Sequence, residues 1–360
     1  MFDFPTARQV VRHLHSQQLG GMAPSREHAV VGSSAAVVVS GKSVALPSGV
    51  SSVAALREMS HGGRDLLRVI PSSRWDVEQA AFYLQGSPPE VASRVRHGGF
   101  LRGSELFEPA FFSISAAEAA AMDPQQRQLL ERGYGALHAA GMGKGALLGA
   151  VVAVSVGQWA SEFGSVLGRT PAGRGVYAST GFSCSVTCGR VSFVLGLQGA
   201  CASYDTACSA SLVANHSSTR ALQRFECDAA LSAGVNMILE AGTMAGNAVA
   251  GFTSVRGRSH TFDARADGYA RGEAIDVIVC EAGDGRACAQ SSVAGSAVRQ
   301  DGRSASLTAP NGQAQQGVLG ASLADAQVEA SEIGVLEAHG TGTALGDPLE
   351  AGSMAAAVLA

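Results

Sequence analysis

Cys208 stands in Ser203-Tyr-Asp-Thr-Ala-Cys-Ser-Ala-Ser211, between a run from Ala200 to Tyr204 that reads as a strand and a helical pattern carrying Leu212, Val213 and Leu222 at spacings suited to burial. A thiol at a strand-to-helix turn sits where the helix macrodipole favours thiolate and where free backbone N–H groups point outward. Together these suit attack on an acyl thioester: the thiolate takes the acyl group, and the N–H of the same residue stabilises the oxyanion. A buried cysteine packed at a helix start fits the same segment, so the assignment depends on a partner.

The candidate partner is His339, in Glu337-Ala-His-Gly-Thr-Gly-Thr-Ala-Leu-Gly-Asp347. The pattern predicts a strand from Ile333 to Ala338, a break over His339 to Thr343, and a helix that re-enters at Asp347-Pro348 with Asp347 as N-cap. A histidine at the C-terminal end of a strand, followed by glycines that permit close backbone approach, lies where open α/β sheets place functional groups. A hydrogen-bonded structural histidine fits that position equally well.

The elements that must hold these residues follow from punctuation and periodicity. A helix is predicted from Met122-Asp-Pro-Gln-Gln-Arg127, with Asp123 as N-cap, Pro124 in the first position, Gln126 closing a capping box and Gly141 as the C-cap. Leu130, Tyr134 and Leu137 line its inner face. Apolar runs such as Ala29 to Val31 and Leu147 to Val154 alternate with helical patterns, which predicts an α/β fold with a mostly parallel sheet covered on both faces. Phe2 to Gln18 reads as an amphipathic helix stopped by Gly20 and Gly21, and Met22 to Glu27 as a polar linker before a main domain that starts near His28.

Composition removes several function classes. Charged residues make up 16% of the 360 positions, against roughly 25% in average soluble proteins. Such a surface is expected to lose area to a partner. A net charge of −4 without a basic stripe gives no footprint for nucleic acid. No apolar run reaches the ~18 residues of a membrane span, and Met-Phe-Asp-Phe-Pro-Thr lacks the layout of a signal peptide. The seven cysteines are odd in number and show no metal-type spacing, which suits a reducing, cytoplasmic compartment with most of them in the core. Cys184, Cys188 and His216 read as packing or structural residues, and the charges of Thr261 to Glu273 as structural ion pairs around a turn.

The Cys208 and His339 segments, with Met122 to Arg127, Thr180 to Arg190, Thr261 to Glu273 and Gln300 to Gly312, resemble β-ketoacyl synthases of modular polyketide and related fatty-acid synthases in both order and spacing. The resemblance is close over Pro71 to Ala360 and loose over His28 to Ile70. It implies a thiolase-like layered α/β/α/β/α fold with an incomplete second half, pairing as a homodimer. By the resemblance, Cys208 accepts the acyl group and His339 is the first of two histidines acting on a malonyl-type extender. Thr341 and Thr343 touch the pantetheine arm, and Asp347 and Glu350 support the site. The implied reaction is acyl transfer followed by decarboxylative Claisen condensation, with no metal or redox cofactor and with substrates carried on the phosphopantetheine of an acyl carrier domain, beside neighbouring synthase domains.

The family's second histidine, its lysine and a further oxyanion donor follow the His-Gly-Thr-Gly-Thr segment, so the chain is expected to be an incomplete domain. Phe2 to Leu14 is similar to the last helix of an acyl carrier domain. The implied division is therefore 1–20 for that carrier helix, 21–27 for the linker, 28–286 for the N-terminal half of the synthase and 287–360 for the start of its C-terminal half. Two alternatives stay open: an acyl-transferring, non-elongating synthase, which often lacks the equivalent of His339, and a non-catalytic docking or dimerisation copy.

Overall fold

Val152-Ala-Val-Ser-Val-Gly-Gln158 forms a strand in which every residue is buried, and the rest of the architecture is arranged around it. The structure, a computed structural model, describes residues 36–78, 84–159, 161–283 and 291–359. The predicted N-terminal helix, the linker, the run Ala29 to Val31 and Cys288 lie outside the described residues. Eight strands are present among the described residues: β1 (Ala36–Ala45), β2 (Arg68–Val69), β3 (His97–Gly98), β4 (Val152–Gln158), β5 (Cys201–Tyr204), β6 (Ala229–Asn236), β7 (Ala274–Gly283) and β8 (Ser292–Val293). Six of them form one sheet in the order β5-β4-β6-β7-β1-β8, and β2 pairs with β3 separately.

The sheet corrects the expectation of a mostly parallel arrangement. β4 runs parallel to β5 and β6, whereas β7 is antiparallel to both β6 and β1, and β8 is antiparallel to β1. The predicted run from Leu147 also starts too early, because Gly149 at φ +82° turns the chain before β4 begins at Val152.

Side-chain size separates the two faces of the central strands. Val152, Val154 and Val156 of β4 and Leu231, Ala233 and Val235 of β6 point into the main core. There they meet the helices α1 (Pro124–Ala139) and α2 (Cys184–Leu195), through Leu129, Leu130, Leu137 and Val191. On the opposite face the two strands present register-matched pairs of small side chains: Ala153 with Ala230, Ser155 with Ser232, and Gly157 with Gly234. Helix α3 (Ala210–Gln223) lies on this face. Leu222, at its far end, packs with Ala153 and Ala230. Its first turn rests against the glycines, where a β-carbon at Gly157 would overlap the Ala210 and Ser211 backbone and one at Gly234 would lie 2.7 Å from Ser211 Cβ. The glycine pair thus lets the first turn of α3, immediately after Cys208, rest directly on the strands.

This close approach also corrects the predicted inner stripe of α3. Ala210, Ala214, Ser218 and Leu222 face the sheet, and Leu212 is 73% exposed. Small residues are required where the helix backbone sits this near the strands, and Leu212 falls two positions off that stripe.

Asp123 caps α1 by accepting from Gln125 N at 2.8 Å, but the predicted capping box is absent. Gln126 instead donates to Thr180 O at 3.3 Å and accepts from Arg190 Nε at 2.8 Å, which ties α1 to α2. Gly141 takes the left-handed position just beyond the C-cap Ala140.

Candidate active site

The turn that presents Cys208 is built from the end of β5. Asp205 Oδ1 accepts from Ala207 N at 3.2 Å, and the hydroxyls of Thr206 and Ser209 lie 2.9 Å apart. Ala207 adopts φ +52°, a left-handed conformation that costs a non-glycine residue free energy. This places Cys208 in a single 3-10 turn (Ala207–Ser209) that runs directly into α3, with its side chain exposed. Thr206, Ser209 and Val213 also form one wall of an open depression of about 810 Å³, whose other wall includes Arg299, Arg303 and Leu307. The Gln300 to Gly312 motif supplies that second wall, and its Asn311 caps helix α4 (Gly312–Ala326) by accepting from Gln313 N at 3.1 Å.

His339 is the partner of Cys208. A hydrogen bond between the two side chains is the largest influence on both: it lowers the Cys208 thiol pKa and raises that of the His339 imidazole. Their mutual charge works in the same direction. Desolvation opposes the shift in each case, and the carboxylates of Glu350 and Asp347 add to the imidazole's rise. The lowered thiol value raises the fraction of thiolate, the reactive form of the sulfur, at any given pH.

The loop carrying His339 is held by two carboxylates of α5 (Gly346–Met354). Glu350 accepts from His339 N at 2.5 Å and from Gly340 N at 2.9 Å. Asp347 Oδ1 accepts from Gly342 N at 2.9 Å and Thr343 N at 3.3 Å, while its Oδ2 accepts from Phe262 N at 2.6 Å. Asp347 is therefore not the N-cap predicted for this helix. Leu345 holds that position, and the Asp347 side chain turns back from the first helical turn to receive the loop. The hydroxyls of Thr341 and Thr343 are 3.1 Å apart, and Thr343 Oγ1 also accepts from Gly346 N at 3.1 Å.

The strand predicted from Ile333 to Ala338 does not form. Among the described residues no strand lies alongside this stretch to complete a ladder, and Val335 is 86% exposed.

Thr261 to Glu273 does more than pair charges around a turn. Thr261 Oγ1 donates to Gly340 O at 2.6 Å, and Gly268 N donates to Gly342 O at 2.9 Å, so the segment cradles the histidine loop. Burial raises the Tyr269 phenol, and the charge of Cys208 raises it further. Only the left-handed Gly268, in an Asp-Gly pair, marked the contact in the sequence. The expected ion pairs are also present: Arg265 with Asp263 at 2.9 Å and Arg74 with the buried Glu273 at 2.9 Å. His216 has its expected structural role, with Nδ1 2.8 Å from Ser296 Oγ.

Two measurements test this arrangement. The rate of Cys208 alkylation should rise with pH through a midpoint below the ordinary thiol value of about 8.5, and His339→Ala should move that midpoint upward because the main stabiliser of the thiolate is gone. An unmoved midpoint would show that the histidine does not act on the sulfur. Asp347→Ala strands three backbone N–H groups at roughly 1 kcal/mol or more each, so the denaturation midpoint should fall by the equivalent of about 3 kcal/mol and the alkylation midpoint should rise as the loop shifts. Asp347→Asn, which keeps one acceptor, should lie between.

The chain matches the family model of the β-ketoacyl synthase N-terminal domain over residues 34–284 and that of the C-terminal domain over residues 290–360. It is 40% identical over 99% of its length to polyketide synthase GfsB of Streptomyces halstedii and 39% identical over 99% to the pikromycin polyketide synthase component PikAII of Streptomyces venezuelae. It covers 6% and 10% of those proteins, a small part of each. Among solved structures, the ketosynthase from module 6 of the bacillaene synthase of Bacillus subtilis 168 superposes with a TM-score of 0.80 at 30% identity, covering 90% of this chain and 54% of that one. The oxazolomycin ketosynthase domain OzmH KS7 of Streptomyces albus JA3453 gives 0.81 at 29%, covering 90% and 56%. The fold is thiolase-like, and the chain belongs to the β-ketoacyl synthase family.

Proposed function

We propose that this chain is the condensing part of a polyketide synthase, and the observation that carries the reading is the contact between the Cys208 thiol and the His339 imidazole. The thiolate attacks the carbonyl of an acyl thioester, the Cys208 N–H takes the oxyanion, and the departing carrier thiolate receives the imidazolium proton. Acylation removes the negative sulfur, so the first cause of the raised imidazole pKa disappears and a neutral ring remains facing the new thioester. When a malonyl-type extender loses CO₂, that ring's N–H can donate to the enolate oxygen, and the enolate carbon attacks the acyl-Cys208 carbonyl and releases the thiolate.

In this reading Cys208 and His339 are catalytic, Thr341 and Thr343 contact the pantetheine arm, and Asp347 and Glu350 position the histidine loop. The substrates arrive on the phosphopantetheine of an acyl carrier domain, with other synthase domains as neighbours and the cytoplasm as the compartment. Residues 28–286 are the N-terminal half of the synthase, 287–360 the start of its C-terminal half, 1–20 a carrier-domain helix and 21–27 a linker. The low charge and the exposed Val176, Phe193 and Leu212 support a homodimer. No helix among the described residues is long and apolar enough to cross a membrane.

The test supplies acyl thioester and malonyl carrier to the protein and follows acyl-Cys208 and ketoacyl product separately. His339→Ala should retain slow loading and lose condensation by roughly 10²-fold or more, the scale for one oxyanion donor. Undiminished condensation would remove His339 from the mechanism.

A further inference from the structure

The buried row of side chains on β7 continues past the strand's first residue, and it changes character there. Val279, Val277 and Ile275 are apolar, whereas Glu273 and Arg271, the next two positions of the same alternating row, are charged and equally enclosed. Because β7 runs antiparallel to β6, this ionic end lies where β4, β5 and β6 release Trp159, the Cys208 turn and Met237. Arg271 Nη2 donates to Glu162 Oε1 at 3.1 Å with both side chains 5% exposed, and the guanidinium carbon sits 5.3 Å from the centre of the Trp159 ring. Glu162 Oε2 accepts from Leu239 N at 2.7 Å and Glu240 N at 2.8 Å, which anchors the pair to the turn leaving β6. Asn236 Nδ2 adds a bond to Gly272 O at 2.7 Å. Three residues before Arg271 stands Gly268, whose N–H holds Gly342 of the histidine loop. A fixed Arg271 therefore fixes one end of the cradle. Stability alone is a poor account of the pair: Arg271 Nη1 is buried with no partner among the described residues, and a buried ion pair returns little beyond the desolvation that it costs. What it does supply is direction.

We propose that Glu162 and Arg271 are positioning residues, an ion pair that sets the segment Gly268 to Glu273 and, through the bond between Gly268 and Gly342, the loop that carries His339. The inference rests on the reading of Cys208 and His339 as the reacting pair, and it adds what holds the histidine loop from behind. Glu162 holds the turn after β6 through one oxygen and Arg271 through the other, so its two roles can be separated. In Glu162→Gln the amide oxygen still accepts from Leu239 N and Glu240 N, which turns the amide NH₂ toward the guanidinium, donor against donor. The turn is kept and Arg271 is released.

The test measures, on the full chain, the pH midpoint of Cys208 alkylation and in parallel the denaturation midpoint. The variants are Glu162→Gln, Arg271→Lys, His339→Ala and the double variant Glu162→Gln with Arg271→Met, which leaves no buried charge unpaired and should therefore fold. Glu162→Gln and the double variant should both move the alkylation midpoint upward, part of the way to the His339→Ala value, in protein that is folded by its denaturation curve. Arg271→Lys, which keeps a cation opposite Glu162, should stay nearer to wild type. If the double variant lowers only the denaturation midpoint and alkylates as wild type does, while His339→Ala shifts the profile, the pair is merely structural and this proposal fails alone. If His339→Ala leaves the profile unmoved as well, the reading of the reacting pair fails and this proposal fails with it.

Discussion

Cys208→Ala should leave the chain folded and unable to take up an acyl group. The side chain is exposed at the start of a helix, and a substitution there away from the core changes stability by about 0.5 kcal/mol or less. The chemical loss is of a different order. Without the sulfur there is no covalent intermediate, and removing the nucleophile of an acyl-transfer site leaves only what binding and the oxyanion donors supply, a loss on the order of 10⁴-fold or more. The measurement is intact mass after incubation with an acyl thioester, with wild type gaining one acyl group and the variant gaining none. If the variant gains the acyl group at the same rate, another nucleophile does the work. Cys201, the other exposed cysteine among the described residues, would then be the first to examine.

The second large effect is expected far from any reacting atom. A methyl group at Gly157 would occupy the same space as the Ala210 and Ser211 backbone, and neither neighbour is a flexible side chain that can swing aside. Overpacking a well-filled interior costs about 1–3 kcal/mol, and a clash with the backbone of a helix turn belongs at or above the top of that range, a large share of a domain's 5–15 kcal/mol. Gly157→Ala should therefore lower the denaturation midpoint sharply. In whatever folded protein remains, it should also slow Cys208 alkylation, because the turn is lifted off the sheet. Gly189→Ala, in α2 where an added β-carbon meets nothing, is the control and should change little. Equal behaviour of the two variants would mean that α3 is not seated by the glycines.

The Cys208 turn was readable because its signals are local: an apolar run, an Asp-Thr turn and a helical pattern within a few residues. His339 was readable for the same reason, since the glycines and threonines around it mark a loop whatever packs on it. Strand direction was not readable, because an apolar run looks the same whether its neighbour is parallel or antiparallel. The segment Ile333 to Ala338 has the composition of a strand, yet a strand exists only when another backbone completes its ladder, and that is a fact about distant residues. Leu212 was misplaced for a related reason, as the inner stripe of α3 is chosen by two glycines on strands far away in sequence. The cradle formed by Thr261, Phe262 and Gly268 was missed because two of its three hydrogen bonds come from backbone N–H groups, which every residue but proline carries. The proline that follows Asp347 marks it as an N-cap in the sequence, whereas its role in the structure depends on a loop and a segment that only the folded chain brings near.

The matched small pairs Ala153 with Ala230, Ser155 with Ser232 and Gly157 with Gly234 have a mechanical consequence. Because α3 is a stiff rod resting on a bed of small residues, one added carbon near Leu222 and one added carbon near Ala210 do opposite things to the sulfur. The first tips the rod about its glycine end and presses the nucleophile down, and the second lifts it away. The elevation of Cys208 is thus adjustable from positions that never approach a substrate, and the six bed residues act as shims whose thicknesses are matched across two strands. A change in one of them is most easily tolerated when its partner in the same rung changes size in the opposite sense.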